Sequence, residues 1–238
     1  MALKRESILE RLIPTGCQTL NMLLMGGLPT KALTLIYGEA ETGKTTFTIQ
    51  CAVNCARMER KAMIIDSDGS FSSQRLIQIA QQDYEEIAER IILARPENFE
   101  QQSYIIDQLE NILTEKVLLI AVDTITSLYR TELAKNPKKT FMLNRELNRQ
   151  LAYLSQLAKA RNIAVIATSQ VRSVVQTENL TVEPVATRVL KFWADIVIHF
   201  KPTPQPRTFK ATLEKHPEQK RLKTCFFKIT QTGITSLR

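Results

Sequence analysis

Eight consecutive residues, Gly38-Glu39-Ala40-Glu41-Thr42-Gly43-Lys44-Thr45, fit the pattern G-x-x-x-x-G-K-[ST]. Each position has a task around a run of phosphates. The glycines let the main chain curl until its N–H groups point inward. A helix opening at the lysine adds the positive end of its dipole. The Lys44 ammonium reaches the terminal phosphates, and the Thr45 hydroxyl ligates Mg²⁺. These residues describe a site for a nucleoside triphosphate and its Mg²⁺.

Two further acidic points follow apolar runs. Val117-Leu-Leu-Ile-Ala-Val122 ends in Asp123, the pattern in which a strand-end carboxylate orients Mg²⁺. Ile64-Ile65 ends in Asp66-Ser67-Asp68-Gly69. Asp68 suits a general base that polarises an attacking water. Equally, Asp66 or Asp68 suits a turn cap, and the residues alone leave both readings open. Gln170, just past the run Ile166-Ala167-Thr168-Ser169, lies where a γ-phosphate sensor would sit.

The elements that must position these groups can be read from hydropathy. Strands are predicted at 32–37, 62–66, 90–94, 118–123, 164–169 and 196–200, mostly as continuous apolar runs, which suits a parallel sheet covered on both faces. Helices are predicted at 45–57, 73–82, 100–115 and 141–161. In the last, Leu143, Leu147, Leu151, Leu154 and Leu157 mark one buried stripe. The alternation implies an α/β fold with a mostly parallel sheet flanked by helices. Pro204 and Pro206 make a turn leading into strands at 210–214 and 224–229, an antiparallel C-terminal edge. With no repeat or linker, residues 1–238 read as one domain.

Composition bounds the rest. The chain has 238 residues, 44% hydrophobic, and a formal net charge of +8. From Lys201 onward nine basic residues face two acidic ones, a balance that favours a polyanionic partner. No apolar run spans a bilayer, and the charged N-terminus is no secretory signal, so the expected location is the cytoplasm, with no membrane partner. Cys17, Cys51, Cys55 and Cys225 offer no Cys-x-x-Cys pair, so they read as thiols in a reducing compartment rather than a zinc site.

Several ordered segments resemble the RecA/RadA recombinase superfamily, most closely its archaeal RadB branch. The resemblance starts at Pro14-Thr-Gly16-Cys-Gln-Thr-Leu20 with Leu23 and Gly26-Gly27, ahead of the phosphate loop. It runs on through Asp66-Ser-Asp68-Gly-Ser-Phe71 with Arg75-Leu76, then Val122-Asp123-Thr-Ile-Thr-Ser127-Leu-Tyr129-Arg130 and Ser169-Gln170-Val171. It ends at Thr177-Glu178 and Glu183-Pro184-Val185-Ala186.

The resemblance implies a RecA-like core that binds ATP and Mg²⁺. It makes Gly38, Glu39, Ala40, Glu41, Thr42, Gly43, Lys44, Thr45 and Thr46 nucleotide-binding residues and Thr45 and Asp123 metal ligands. Arg75 matches the arginine that lies over the adenine ring, where cation–π stacking would hold it. Lys44, Asp68 and Gln170 become the catalytic set, with Gln170 coupling the γ-phosphate to a DNA-binding loop. Two such loops are implied. Lys135, Lys138 and Lys139 stand in the place of the first, and Arg172 opens the second. Lysines and arginines there would hold single-stranded and duplex DNA through phosphates, independent of sequence. Lys215 and Lys220 would meet DNA or a neighbour's γ-phosphate.

Three departures matter. Relatives carry Glu where this chain has Asp68. No separate N-terminal helical DNA-binding domain is expected, and no Phe-x-x-Ala occurs, the motif that links protomers into filaments. The resemblance therefore implies a slow DNA-dependent ATPase in homologous recombination and DNA repair. Two alternatives stay open: an ATP-switched, non-hydrolysing mediator of a RadA-type recombinase, and a KaiC-like signalling ATPase without DNA.

Overall fold

The computed structural model describes residues 12–171, 185–219 and 221–237. A short ladder, β1 (Leu12–Ile13) with β2 (Leu28–Pro29), brackets helix α1 (Gln18–Leu23). Then β3 (Ala32–Gly38) leads into α2 (Lys44–Arg57), followed by β4 (Lys61–Asp66). Helices α3 (Ser73–Ala80) and α4 (Tyr84–Ala88) precede β5 (Ile91–Ala94) and α5 (Phe99–Ile112). After β6 (Val117–Asp123) come α6 (Ser127–Lys135), a one-turn helix at Pro137–Lys139, α7 (Thr140–Arg161) and β7 (Ala164–Gln170). Helix α8 (Val185–Trp193) then leads to β8 (Ile196–Pro202), β9 (Thr208–Lys215), β10 (Lys223–Thr230) and β11 (Gly233–Ser236).

One nine-stranded sheet has the order β11-β10-β9-β8-β3-β7-β6-β4-β5. From β8 to β5 all pairs are parallel, and from β8 to β11 all are antiparallel. The continuous apolar runs behave as expected: every residue of β3 and of β6 is buried, because helices cover both faces. One core layer joins β3, β6 and β7 to α5, α7 and α8, and it takes the whole leucine stripe of α7, Leu143 to Leu157. The opposite layer joins α1, α2 and the antiparallel strands.

Element ends differ slightly from the sequence reading. Helix α3 stops at Ala80 because Gln81 takes a positive φ of 58° and the chain continues as a tighter turn. Helix α5 starts at Phe99, where the Asn98 side chain accepts a hydrogen bond from Gln101 N. Helices α1, α6 and α8 and strand β11 were not anticipated. Among the described residues no helix is long and apolar enough to cross a membrane.

Candidate nucleotide site

The phosphate loop leaves β3 at the centre of the sheet, between β7 and β8. In open α/β sheets such strand ends are where ligands bind. Gly38 is required by packing: a Cβ there would stand 2.2 Å from the Phe200 carbonyl oxygen. Gly43 takes φ 91° at the start of α2, and a Cβ on it would meet Ile229 Cδ1 at 2.6 Å. No side chain caps the first turn of α2, so its N–H groups remain available to phosphate oxygens.

Lys44 is buried, and its ammonium donates to the carbonyls of Gly38 at 3.1 Å and Glu39 at 2.6 Å. Burial pushes its pKa down, against the charges of Asp123, Asp68 and Glu39, which pull it up. Glu39, Ala40 and Glu41 are exposed, Thr42 is buried, and Thr45 and Thr46 are half-buried on the first turn of α2.

Asp123 ends β6, in register with Asp66 at the end of β4. Burial raises its pKa to about 6, although hydroxyl hydrogen bonds from Thr168 and Thr45 lower it. A buried carboxylate beside a threonine hydroxyl at a helix N-terminus is a hard-oxygen donor set suited to Mg²⁺. The peptide bond Asp123–Thr124 is cis.

The two acids at the end of β4 differ in burial. Asp66 is 2% exposed and accepts from Ser70 N at 3.0 Å and Phe71 N at 3.3 Å, with Arg95 Nε 3.3 Å away. It closes the turn. Asp68 is exposed, accepting from Ser70 N at 3.1 Å and from the Thr124 hydroxyl at 3.4 Å. It shares the field of Lys44 and Asp123.

Gln170 ends β7 opposite Gly38, and Val171 N donates to the Gly38 carbonyl at 3.1 Å. The Arg130 guanidinium of α6 donates to the Gln170 carbonyl, tying that helix to the strand beside the phosphate loop. The fold thus brings Lys44, Thr45, Asp68, Asp123 and Gln170 to one end of four strands.

Arg75 sits apart, on α3. Its guanidinium donates to the carbonyls of Thr230 (2.9 Å) and Gln231 (2.7 Å), in the turn between β10 and β11. Those two residues, with Glu41, Gln78, Arg207, Phe209 and Ile229, line a cavity of about 580 Å³ beside the phosphate loop. A larger cavity of about 780 Å³ lies elsewhere, between α5 and α7.

The sequence reading missed Gln50. Its amide, on α2, donates to the carbonyls of Thr15 (2.8 Å) and Ile234 (3.0 Å) and accepts from Ile234 N (2.6 Å). The available signal was one amide among apolar neighbours on a buried helix face. Lys135 ends α6, and Lys138 and Lys139 form the one-turn helix after it; all three are exposed. Arg172 and Lys220 lie outside the described residues. Lys215 donates to carbonyls at the C-terminal end of α8, including those of Lys191 (3.3 Å) and Ala194.

Comparison with known proteins agrees with this fold. A family model described as Rad51 matches residues 4–237. The "DNA repair and recombination protein RadB" of Methanococcoides burtonii is 34% identical, covering 96% of this chain and 99% of its own. The protein of the same name from Archaeoglobus fulgidus is 36% identical over 94% of this chain and 97% of its own. The solved structure "Crystal structure of the RadB recombinase" superposes with a TM-score of 0.81 at 31% identity, covering 95% of this chain and all of that one.

Proposed function

The chain belongs to the Rad51 family, and from that premise we propose that it is an ATP-binding, slowly hydrolysing, DNA-binding factor of homologous recombination and DNA repair, built on a single RecA-like core. The observation that carries this reading is the juxtaposition of Lys44, Thr45, Asp123 and Asp68 around an uncapped helix N-terminus.

Thr45 and Asp123 would hold Mg²⁺, which when bound neutralises phosphate charge. The loop N–H groups and Lys44 supply fixed positive charge where the γ-phosphate oxygens develop negative charge. Asp68 takes the proton of the attacking water. Its side chain is one methylene shorter than Glu, and a misplacement of roughly 1 Å costs about a hundredfold in rate. Turnover is therefore slow. Gln170, on the strand bonded to the phosphate loop, reports the γ-phosphate to the segment that follows it. Lys135, Lys138, Lys139 and Arg172 hold single-stranded and duplex DNA through phosphates, with affinity that falls steeply as salt rises.

The test is ATP turnover with Mg²⁺, with and without single-stranded DNA, alongside DNA binding. DNA-stimulated turnover supports the proposal. Binding of DNA without turnover instead supports an ATP-switched mediator of a RadA-type recombinase. Absence of DNA binding overturns both and leaves a signalling ATPase.

A further inference from the structure

The cavity beside the phosphate loop faces two opposite charges. Glu41, in the loop, and Arg207, in the turn between β8 and β9, both line it. Both are exposed, and among the described residues neither side chain forms an ion pair or hydrogen bond. Each also holds a left-handed backbone, φ 61° at Glu41 and 57° at Arg207, where glycine would sit at less cost. The Arg207 carbonyl accepts from Ile229 N at 3.0 Å, which fixes that turn.

The rest of the wall is braced. Besides the Thr230 and Gln231 carbonyls, Arg75 donates to Gln78 Oε1 at 3.1 Å. With its oxygen taken, Gln78 keeps its amide N–H groups for a ligand. Phe209 is half-buried and stacks on Phe227 with ring centroids 5.7 Å apart. The volume of about 580 Å³ suits a small organic ligand.

A bound triphosphate sharpens the question of what Glu41 is for. A carboxylate near phosphates is repelled by them unless it accepts hydrogen bonds from the ligand. Guanine offers N1–H and N2–H₂ side by side, one for each carboxylate oxygen. Its O6 and N7 form a pair of acceptors that a guanidinium grips with two donors. Adenine serves neither group as well. It turns the N1 lone pair toward a carboxylate, and it sets the N6 amino donor beside N7, where a guanidinium needs a second acceptor.

We infer that this cavity is a base site in which Glu41 and Arg207 read guanine, so that the chain takes GTP at least as well as ATP. The inference rests on the nucleotide-binding reading above and deepens it. Lys44, Thr45 and the loop amides serve either triphosphate, and the base edge decides between them.

The experiment is displacement of a fluorescent ATP analogue from the full chain, with Mg²⁺, by ATP, GTP and inosine triphosphate. GTP is expected to displace the probe at a concentration no higher than ATP does. Inosine triphosphate, which lacks the N2 amino group, binds more weakly than GTP. Arg207→Ala lowers the ratio of GTP to ATP affinity about five- to a hundredfold. Arg207→Lys, which keeps the charge but not the two-pronged grip, lowers it in the same direction. Glu41→Gln does so too, because an amide has one acceptor oxygen in place of two. ATP binding tighter than GTP in the wild type overturns the inference while nucleotide binding stands. So does inosine triphosphate binding as tightly as GTP. So does an unchanged ratio in the variants, which would place both side chains on the sugar or phosphates that the two nucleotides share. A wild type that binds neither nucleotide sinks the nucleotide-binding reading itself.

Discussion

The parallel part of the sheet and its antiparallel edge both reach the phosphate loop, and they bring different chemistry to it. Strands β3, β4, β6 and β7 lead into the groups proposed above to meet a nucleotide: the loop itself, Asp68, Asp123 and Gln170. Strands β9, β10 and β11 bring methyl groups and main chain. Ile229 and Ile234 lie against Gly43, Ile234 pairs with Gln50, and the Thr230 and Gln231 carbonyls hold Arg75. The difference teaches that the charged site and the scaffold that aims it come from opposite ends of the chain. Substitutions should therefore divide into those that remove chemistry and spare stability, and those that do the reverse.

The largest expected effect is on the parallel side. Lys44→Ala removes charge-assisted hydrogen bonds to phosphate and should lower ATP affinity at least about a hundredfold. The urea midpoint of the protein alone should not fall, since a buried cation has been removed. A titration with a fluorescent ATP analogue reads this, and retained affinity would break the division. Next, Asp68→Glu restores the missing methylene and should speed phosphate release by up to about a hundredfold, at unchanged stability. Turnover no faster than wild type would mean that acid placement is not what limits the rate.

On the antiparallel side, Gln50→Leu strands the main chain of Ile234 and the carbonyl of Thr15. It should cost roughly 2–3 kcal/mol in urea unfolding, and a loss below a few tenths would show that the edge does not need this latch. The smallest effect concerns Glu214 on β9. Burial alone would raise its pKa, but hydrogen bonds from His199, Tyr37 and Lys191 outweigh that and hold it at about 2. The folded value lies below the unfolded one, about 4.3. Its stabilisation is thus present above that pH and lost as pH falls through about 2. Glu214→Gln should cost about 1–2 kcal/mol at pH 7, and the gap from wild type should close toward pH 2. A pH-independent gap would assign the loss to packing instead.

The same division explains what the sequence made legible. Residues 38–45 are contiguous and chemically specific, so the loop and its ligand class could be read directly. Continuous apolar runs predicted β3, β6 and β7 to within a residue, because burial on both faces leaves no polar alternation to confuse the pattern. Strand β11 was invisible: Gly-Ile-Thr-Ser carries no apolar run, and its place is set by partners such as Gln50, 184 positions away. Helix α6 escaped because a single buried residue, Tyr129, anchors it, leaving no stripe to detect. Asp66 and Asp68 could not be told apart by spacing, since both accept from Ser70 N and only the fold shows which carboxylate is buried against Phe71 N and Arg95.

The contact of Gly43 with Ile229 and Ile234 also sets an order of manufacture. A ribosome adding about 5–20 residues per second needs roughly 10–40 s to pass from the glycine to the isoleucines that floor it. For that interval the nascent chain displays a complete phosphate signature with nothing beneath it. Nucleotide captured by a half-made chain would meet a loop that is not yet aimed, so binding competence should switch on late and in one step, when the last hairpin docks.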